Sequence, residues 1–254
     1  MPSETFRESF ASAKTVFAML HLKGDDHADR LERAKREVDQ LWSNGVDAVI
    51  VENYYGDVDD VVAVCDYLVT ARPEVVFGIN VLKDDWRAFE VANQYGARFL
   101  QLDSVAGHVP VDEDVDFAAR LAEERAASAA FVLGGVRFKY QPYRSGRSLD
   151  EDLRLGASRS DAIVVTGDGT GLETPVAKIA EFRSILGPEF PLIVGAGVTP
   201  ENCAAMLAQA DGVIVGSYLK DTYIDTGDVD SDHVHTFVTA IRGLADDREK
   251  GAAA

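Results

Sequence analysis

The chain has 254 residues, of which 46% are hydrophobic and 27% charged, so it is long enough for one large globular domain or two small ones. Its formal net charge of −18 disfavours nucleic acid and anionic membrane surfaces as main partners. No apolar run approaches the length of a membrane span, and the N-terminal residues lack the apolar centre of a signal peptide. We therefore expect an acidic cytoplasmic protein without integral membrane association.

Eight short apolar runs alternate along the chain with amphipathic segments. The runs are TVFAML (15–20), DAVIV (47–51), VVFGINV (75–81), RFLQL (98–102), AAFVLGGV (129–136), DAIVV (161–165), PLIVGA (191–196) and DGVIVG (211–216). They are rich in Val and Ile and do not alternate with polar residues. This pattern is typical of parallel strands that are buried on both faces.

The segments between the runs carry helix start and stop signals. After the third run, Asp84 or Asp85 is a suitable N-cap, and Gly96 ends the helical pattern. After the seventh run, Thr199 is a good N-cap that is followed by Pro200 at the first helical position. We therefore predict a helix after each strand.

The two ends of the chain carry their own features. A short helix over about 3–12 precedes the first strand and is placed to cover the bottom of a barrel. The last helix is predicted over roughly 230–245, followed by a frayed tail over about 247–254. Eight βα units in one chain of this length, without a linker, predict a single (β/α)8 TIM barrel over 1–254, with an open doubly wound sheet as the competing fold.

Polar residues concentrate at the ends of the predicted strands, where such barrels place their active sites. The candidate catalytic residues are His21, Glu52, Asn53, Asp103, Lys139 and Asp168. The candidate substrate-binding residues are Asn80, Gln101 and Thr166. An inert barrel does not need this many ionisable and hydrogen-bonding groups around one rim.

The last two runs both end in glycine and a small residue. The predicted phosphate-binding residues are Gly195, Gly197, Val198, Gly216 and Ser217. Their backbone N–H groups stand at helix starts on neighbouring strands, and barrels often bind phosphate there. The plainer alternative is that these glycines only form tight turns. Lys220 is compatible with added positive charge at this site, although a solvated surface lysine is the plainer interpretation.

Several chemical roles are compatible with the candidate residues. A buried Glu52 has a raised pKa and is suited to act as a base, while Asp103 and Asp168 are suited to divide acid and base roles. Lys139 is compatible with a Schiff base or with a fixed cation beside a phosphate or enolate. Salt bridges, turn caps and a lysine–carboxylate pair are the structural alternatives.

A metal site is the weaker interpretation of the same rim. His21, Glu52, Asp103 and His108 are suitable ligand types, but no established metal-ligand spacing connects them. We therefore predict no metal and no cofactor.

Six motifs are also similar to a known family. They are FAMLHL (17–22), DAVIVENYYGD (47–57), GINVLKDD (78–85), DAIVVTGDGTG (161–171), VGAGVTPEN (194–202) and DGVIVGSYLK (211–220). In this order they resemble the BtpA family, which implies a TIM barrel of the ribulose-phosphate-binding type. The resemblance also implies a link to photosystem I biogenesis in cyanobacteria. One departure is RFKYQP, where Tyr140 follows Lys139 and many family members have histidine.

Two functions are compatible with these features. The first is an enzyme that isomerises, cleaves by an aldol route or cleaves a glycosidic bond of a small phosphorylated substrate, such as a sugar or ribosyl phosphate. The second is a non-catalytic assembly or stability factor that uses the barrel as a binding scaffold. Homo-oligomerisation is compatible with the aromatic residues of the outer helices, namely Trp42, Tyr67 and Trp86.

Overall fold

Eight parallel strands form a closed barrel in a computed structural model of the chain, which describes residues 5–10 and 12–252, with side chains as far as 244. The strands are β1 (Thr15–Leu20), β2 (Ala48–Glu52), β3 (Phe77–Asn80), β4 (Phe99–Ala106), β5 (Phe131–Val136), β6 (Ala162–Val165), β7 (Leu192–Val194) and β8 (Gly212–Val215). Each strand pairs in parallel with the next, and β8 pairs with β1. The predicted TIM barrel is confirmed, and the open sheet is excluded.

Helices surround the barrel and follow the strands. They are α1 (Phe6–Ser9), α2 (His27–Ser43), α3 (Val58–Ala71), α4 (Asp85–Tyr95), α5 (Val111–Ala127), α6 (Leu149–Arg159), α7 (Val176–Leu186), α8 (Cys203–Met206) and α9 (Ser231–Ala252). Asp84 caps α4 by accepting a hydrogen bond from the Arg87 N–H, and Gly96 ends the helix in the left-handed conformation, with φ of 64°. Both signals that the sequence predicted for this helix are therefore confirmed.

Two predicted helix boundaries are wrong. The helix after β7 begins at Cys203 and not at Pro200, so Thr199 is not its N-cap. The Thr199 N–H instead donates to Oδ1 of Asn202 at 2.8 Å, which holds this segment in a turn and leaves a one-turn helix. The last helix continues to Ala252, so the predicted tail is helical up to that residue, and residues 253 and 254 lie outside the described part.

Phenylalanine side chains close the N-terminal end of the barrel. The Phe10 ring lies 4.8 Å from Phe6, 5.1 Å from Phe17 and 5.8 Å from Phe99, measured between ring centroids. Phe6 also contacts Phe131 edge to face at 5.9 Å. The predicted N-terminal helix thus covers the bottom of the barrel, although residues 1–4 and 11 lie outside the described part.

The outer aromatic residues pack against the protein's own core. Trp42, Tyr67 and Trp86 are partly buried there, and the Arg120 guanidinium covers Trp86 at 4.1 Å from the ring centroid. Homo-oligomerisation through these three residues remains a prediction. Among the described helices, none is long and apolar enough to cross a membrane.

Strand β4 extends beyond the predicted run 98–102 and contains a bulge. Its register with β5 shifts between Leu102 and Ala106, so Asp103 lies in the irregular part of the strand. Gly135 on β5 permits this close approach, because a Cβ atom there would overlap the carbonyl group of Asp103. Because alternate residues of a strand share a face, Asp103 lies on the same face of β4 as Phe99, whose ring packs inside the barrel.

Candidate functional site

A cavity of about 640 Å³ opens at the C-terminal ends of the strands. Ten of the predicted site residues line it, namely His21, Glu52, Gln101, Asp103, Lys139, Gly195, Gly197, Val198, Gly216 and Ser217. The first five come from β1, β2, β4 and the loop after β5, and the other five follow β7 and β8. The cavity therefore has an ionisable side and a backbone-lined side.

Side-chain amides hold two carboxyl groups on the ionisable side. Nδ2 of Asn80 donates to Oε1 of Glu52 at 2.9 Å and lies 3.5 Å from Oδ1 of Asp103. Gln101 and Gln141 each donate to Asp103 at 3.3 Å, one to each carboxylate oxygen. Asp103 thus receives three amide donors and Glu52 receives one.

Burial determines the protonation of this pair. The pKa of Glu52 is raised to about 8, mainly by burial and also by the nearby Asp103 charge, while Lys139 and the Asn80 hydrogen bond oppose the shift. Burial also raises the pKa of Asp103, but the amide donors and Lys139 oppose it. Glu52 is therefore the member of the pair that holds a proton at neutral pH.

Lys139 is the cation beside this pair. Its backbone N–H donates to Oγ1 of Thr166 at 2.9 Å, which fixes the start of the loop that carries it. Burial lowers the pKa of its ammonium group, and Glu52 and Asp103 oppose that shift. In the described part of the chain, Lys139 forms no ion pair within 4.0 Å, so the predicted alternative of a direct pair with Asp103 or Asp168 is wrong.

His21 lies against Glu52 and is electrically neutral. Its Nε2 atom is 3.7 Å from Oε2 of Glu52, and its ring centroid is 5.0 Å from that of Tyr54. Burial lowers the pKa of His21 to about 3; Lys220 and Lys139 act in the same direction and Asp225 opposes them. A neutral imidazole here can donate or accept one hydrogen bond but cannot supply positive charge.

Free backbone N–H groups line the opposite side of the cavity. Within the described residues, the N–H groups of Gly197, Val198, Gly216 and Ser217 donate no hydrogen bond to the protein, whereas the Gly195 N–H donates to the Val165 carbonyl at 2.8 Å. Gly195 therefore lines the cavity without an available donor. We refer to the other four residues as the amide cradle.

Gly197 is required by the shape of the amide cradle. Its φ of +73° is a conformation that favours glycine, and a Cβ atom would overlap the backbone of Leu172 and Glu173. This close contact packs the loop after β6 against the loop after β7. The sequence predicted Gly197 from its position alone, and the structure supplies the steric reason.

Lys220 does not contribute to the cradle. Only 2% of its surface is exposed, and its Nζ atom lies 2.8 Å from Oε1 of Glu37 on α2. The interpretation as a solvated surface lysine is therefore wrong, and the Lys220 ammonium group pairs with Glu37 rather than lining the cavity. Burial of the aliphatic stem below the loop after β8 explains why this lysine needs an acidic partner.

Four other predicted residues lie away from the cavity surface. Asp168 is exposed in the turn after β6, and Oδ1 of Asn53 accepts the Leu82 N–H at 2.7 Å. Asn80 and Thr166 are buried behind Glu52, Asp103 and Lys139, to which they hydrogen-bond. The structure thus gives Asn80 and Thr166 positioning contacts, and it does not bring Asp168 to the group.

The four candidate metal ligands, His21, Glu52, Asp103 and His108, do not form one cluster among the described residues. His108 packs against Phe117, with ring centroids 4.6 Å apart, and does not line the cavity. Among the described residues, the one cluster of possible ligand atoms within 4.8 Å comprises His27, Asp57 and Asp60, which do not line the cavity either.

Sequence reasoning missed several residues of the mouth. Those that line the cavity are Tyr54, Tyr140, Gln141, Thr170, Tyr218 and Tyr223. Asp85 lies nearby, where burial, Asp103 and Asp84 together raise its pKa to about 7. Tyr54 and Tyr140 follow the ends of the predicted runs by three and four residues, so a wider window after each run would have found them.

The closed barrel, with its polar mouth, places the chain among the TIM-barrel proteins. The chain belongs to the BtpA family, whose family model matches residues 12–243. An uncharacterized protein of Pyrococcus abyssi is 31% identical over 208 residues, which cover 75% of this chain and 78% of that protein. The photosystem I biogenesis protein BtpA of Synechocystis sp. is 25% identical over 260 residues, covering 92% of this chain and 90% of that protein.

Solved structures with the same fold include enzymes. An archaeal fructose 1,6-bisphosphate aldolase superposes with a TM-score of 0.62 at 11% identity, covering 94% of this chain and 98% of that chain. The (S)-3-O-geranylgeranylglyceryl phosphate synthase of Thermoplasma acidophilum, in complex with its substrate sn-glycerol-1-phosphate, has a TM-score of 0.60 at 13% identity, covering 94% and 99%. At these identities the likeness shows the fold alone.

Proposed function

We propose that this protein is an enzyme that acts on a small phosphorylated substrate, such as a sugar or ribosyl phosphate. One observation carries the proposal: a single cavity has the amide cradle on one side and Glu52, Asp103 and Lys139 on the other. A substrate that bridges the two sides would present its reactive carbon to groups that can move protons.

The amide cradle supports phosphate binding. Four backbone N–H groups without a protein acceptor are suited to an anion, and Gly216 and Ser217 stand at the start of the 3-10 turn Ser217–Leu219. The two solved structures with this fold, an aldolase for a bisphosphate and a synthase in complex with sn-glycerol-1-phosphate, support such a ligand.

The carboxyl pair supports acid–base chemistry. Glu52 holds a proton and is suited to donate it, while Asp103 accepts three amide donors and is suited to receive one. The Lys139 ammonium lies beside both groups and would stabilise negative charge that develops on a substrate oxygen. Isomerisation, aldol cleavage and glycosidic cleavage are all compatible with this arrangement.

A thermal-shift screen tests the phosphate half of the proposal. Inorganic phosphate, ribose 5-phosphate and ribulose 5-phosphate are compared on the wild type, Ser217→Asp and the neutral isostere Ser217→Asn. A ligand at one hundred times its Kd stabilises by about 2.7 kcal/mol, which raises Tm by roughly 5–10 °C for a chain of this size. The carboxylate of Ser217→Asp repels phosphate and should abolish the shift, whereas Ser217→Asn should retain most of it. No shift at millimolar concentrations of any phosphate would refute the proposal.

Turnover tests the catalytic half. A ligand found in the screen is incubated with the wild type, Asp103→Asn and Lys139→Met, and its conversion is followed by NMR. We expect both variants to bind the ligand and to convert it at least 100-fold more slowly, in line with the usual contribution of a positioned acid or base. Binding without conversion by the wild type would contradict an enzymatic role for that ligand.

A non-catalytic assembly factor is the second candidate function. The name of the Synechocystis relative favours it, and so do exposed apolar residues at the mouth, namely Tyr140, Leu172, Tyr223 and Ile224. In that case cells that carry Lys139→Met or Asp103→Asn would have the same phenotype as cells that carry the wild-type protein. A changed phenotype with either variant would favour the enzyme.

A further inference from the structure

We propose that the mouth of the cavity contains an aromatic stacking site, centred on Tyr140, for a planar heterocycle attached to the phosphorylated substrate. The ligand class is then a nucleoside monophosphate or a related base-bearing ribosyl phosphate. The inference rests on the proposed function, because the phosphate of this ligand would lie in the amide cradle of the same cavity.

Tyr140 has the geometry of a stacking platform. Its side chain lines the cavity and is 72% exposed, yet its hydroxyl oxygen accepts the Thr170 N–H at 2.9 Å. No ring and no cation among the described residues packs against its faces. A tyrosine held at its hydroxyl end, with open ring faces, offers a large apolar contact at a low cost in conformational entropy.

The backbone of Tyr140 is strained in a way that aims this ring. Its φ of 61° lies in the left-handed region, which a bulky residue rarely adopts. Tyr223, which lines the same cavity, also has a positive φ of 57°, and its ring stacks on His233 at 4.4 Å with an interplanar angle of 18°. Strained residues that persist around one cavity are characteristic of ligand-binding sites.

The platform lies close to the amide cradle. Thr170 contacts the Tyr140 hydroxyl, and the next residue, Gly171, faces Ser217, with 3.3 Å between the Cβ position of Gly171 and Oγ of Ser217. With consecutive Cα atoms about 3.8 Å apart, the Tyr140 hydroxyl and Ser217 Oγ are separated by no more than about 13 Å. A phosphate in the cradle and a ring on Tyr140 are therefore within reach of one nucleotide.

The size and lining of the cavity agree with such a ligand. Its volume of about 640 Å³ lies in the range of pockets that enclose drug-sized molecules. Tyr54 and Tyr218 add two further aromatic rings to the lining. A simple triose or pentose phosphate would leave most of these rings without contact.

Isothermal titration of paired ligands tests the inference. Ribose 5-phosphate is compared with AMP and UMP, which add only the base to the same phosphorylated sugar. Base–aromatic stacking predicts that the nucleotides bind about 5- to 150-fold more tightly. Tyr140→Leu should remove most of this gain and leave ribose 5-phosphate binding within about threefold. Tyr140→Phe keeps the ring but loses the contact with the Thr170 N–H, so it should retain part of the gain and bind nucleotides more tightly than Tyr140→Leu does.

Tyr143 supplies the matched control. It is 53% exposed in the same loop but does not line the cavity, and Arg137 covers its ring at 4.1 Å. Tyr143→Leu should therefore leave the binding of all three ligands unchanged. Equal affinity for AMP and ribose 5-phosphate would overturn the stacking site. An equal loss of affinity for both ligands in Tyr140→Leu would do the same. Neither result would contradict phosphate binding in the amide cradle. Failure of every phosphate to bind would instead refute the proposed function itself.

Discussion

The replacement Glu52→Gln is expected to stabilise the protein at alkaline pH. Glu52 is buried, with 6% of its surface exposed, and its folded-state pKa is about 8 against an ordinary value of 4.5. Between these two values the folded protein retains a proton that the unfolded chain releases. Stability therefore falls as pH rises through this interval, because the unfolded state binds fewer protons than the folded state.

The magnitude follows from the same two values. At about 1.36 kcal/mol for each tenfold change in protonation, the interval from 4.5 to about 8 corresponds to an upper bound of about 5 kcal/mol. This interval already includes the increase caused by the Asp103 charge and the opposing effects of Lys139 and the Asn80 amide. A glutamine at this position keeps the oxygen that accepts the Asn80 hydrogen bond at 2.9 Å but has no proton to lose.

Urea unfolding of both proteins between pH 5 and pH 9 measures the effect. The free energy of unfolding of Glu52→Gln, relative to wild type, should rise by several kcal/mol from the acidic to the alkaline end. Glu123→Gln, which replaces an exposed glutamate on α5, should show no such trend. A difference between Glu52→Gln and wild type that does not change with pH would refute the reasoning that Glu52 is protonated in the folded protein.

Two further substitutions test contacts that hold the mouth loops in place. Lys220→Met should destabilise the protein by about 3–5 kcal/mol in urea unfolding, because it leaves the buried Glu37 with Arg33 as its remaining partner. The Lys220→Met/Glu37→Met double variant should recover stability. If it does not, the ion-pair explanation is contradicted. Gly197→Ala should lower the free energy of unfolding by at least about 2 kcal/mol more than Gly96→Ala does. Both glycines have a positive φ, but of the two only Gly197 has backbone atoms where the Cβ atom would lie. Equal losses of stability would show that the loops after β6 and β7 are not closely packed.

The fold was predictable because every unit repeats the same signal. Eight apolar runs without alternation indicate strands buried on both faces, and glycine or aspartate at the helix ends marks the boundaries. A predicted helix boundary was wrong where a side chain other than the expected N-cap residue accepts the backbone hydrogen bond. At α8, Asn202 rather than Thr199 holds the turn, and a one-turn helix has too few periodic positions to reveal its start.

The site was only partly predictable, for a different physical reason. Residues at or shortly beyond the end of a predicted apolar run lie near the mouth, so Glu52, Asp103 and Lys139 were found from position alone. Whether such a residue faces the cavity depends on loop geometry, which has no period. Asp168 is an example of a residue near a strand end that does not face the cavity. Its neighbour Gly167 packs against the backbone of Glu173, while Asp168 itself is exposed.

Glu52 and Asp103 occupy different backbone settings, and they also differ in burial and in hydrogen bonding. Glu52 ends a regular strand, so it lies deep between neighbouring strands, where burial favours its neutral form. Asp103 lies in the irregular part of β4 and is less buried, and it meets donors from β3, from its own strand and from the loop after β5. Asp103 lies on the same face of β4 as Gln101, which also lines the cavity, because alternate residues of a strand share a face. Gly135 permits the close approach of this irregular segment, because a Cβ atom there would overlap the carbonyl group of Asp103.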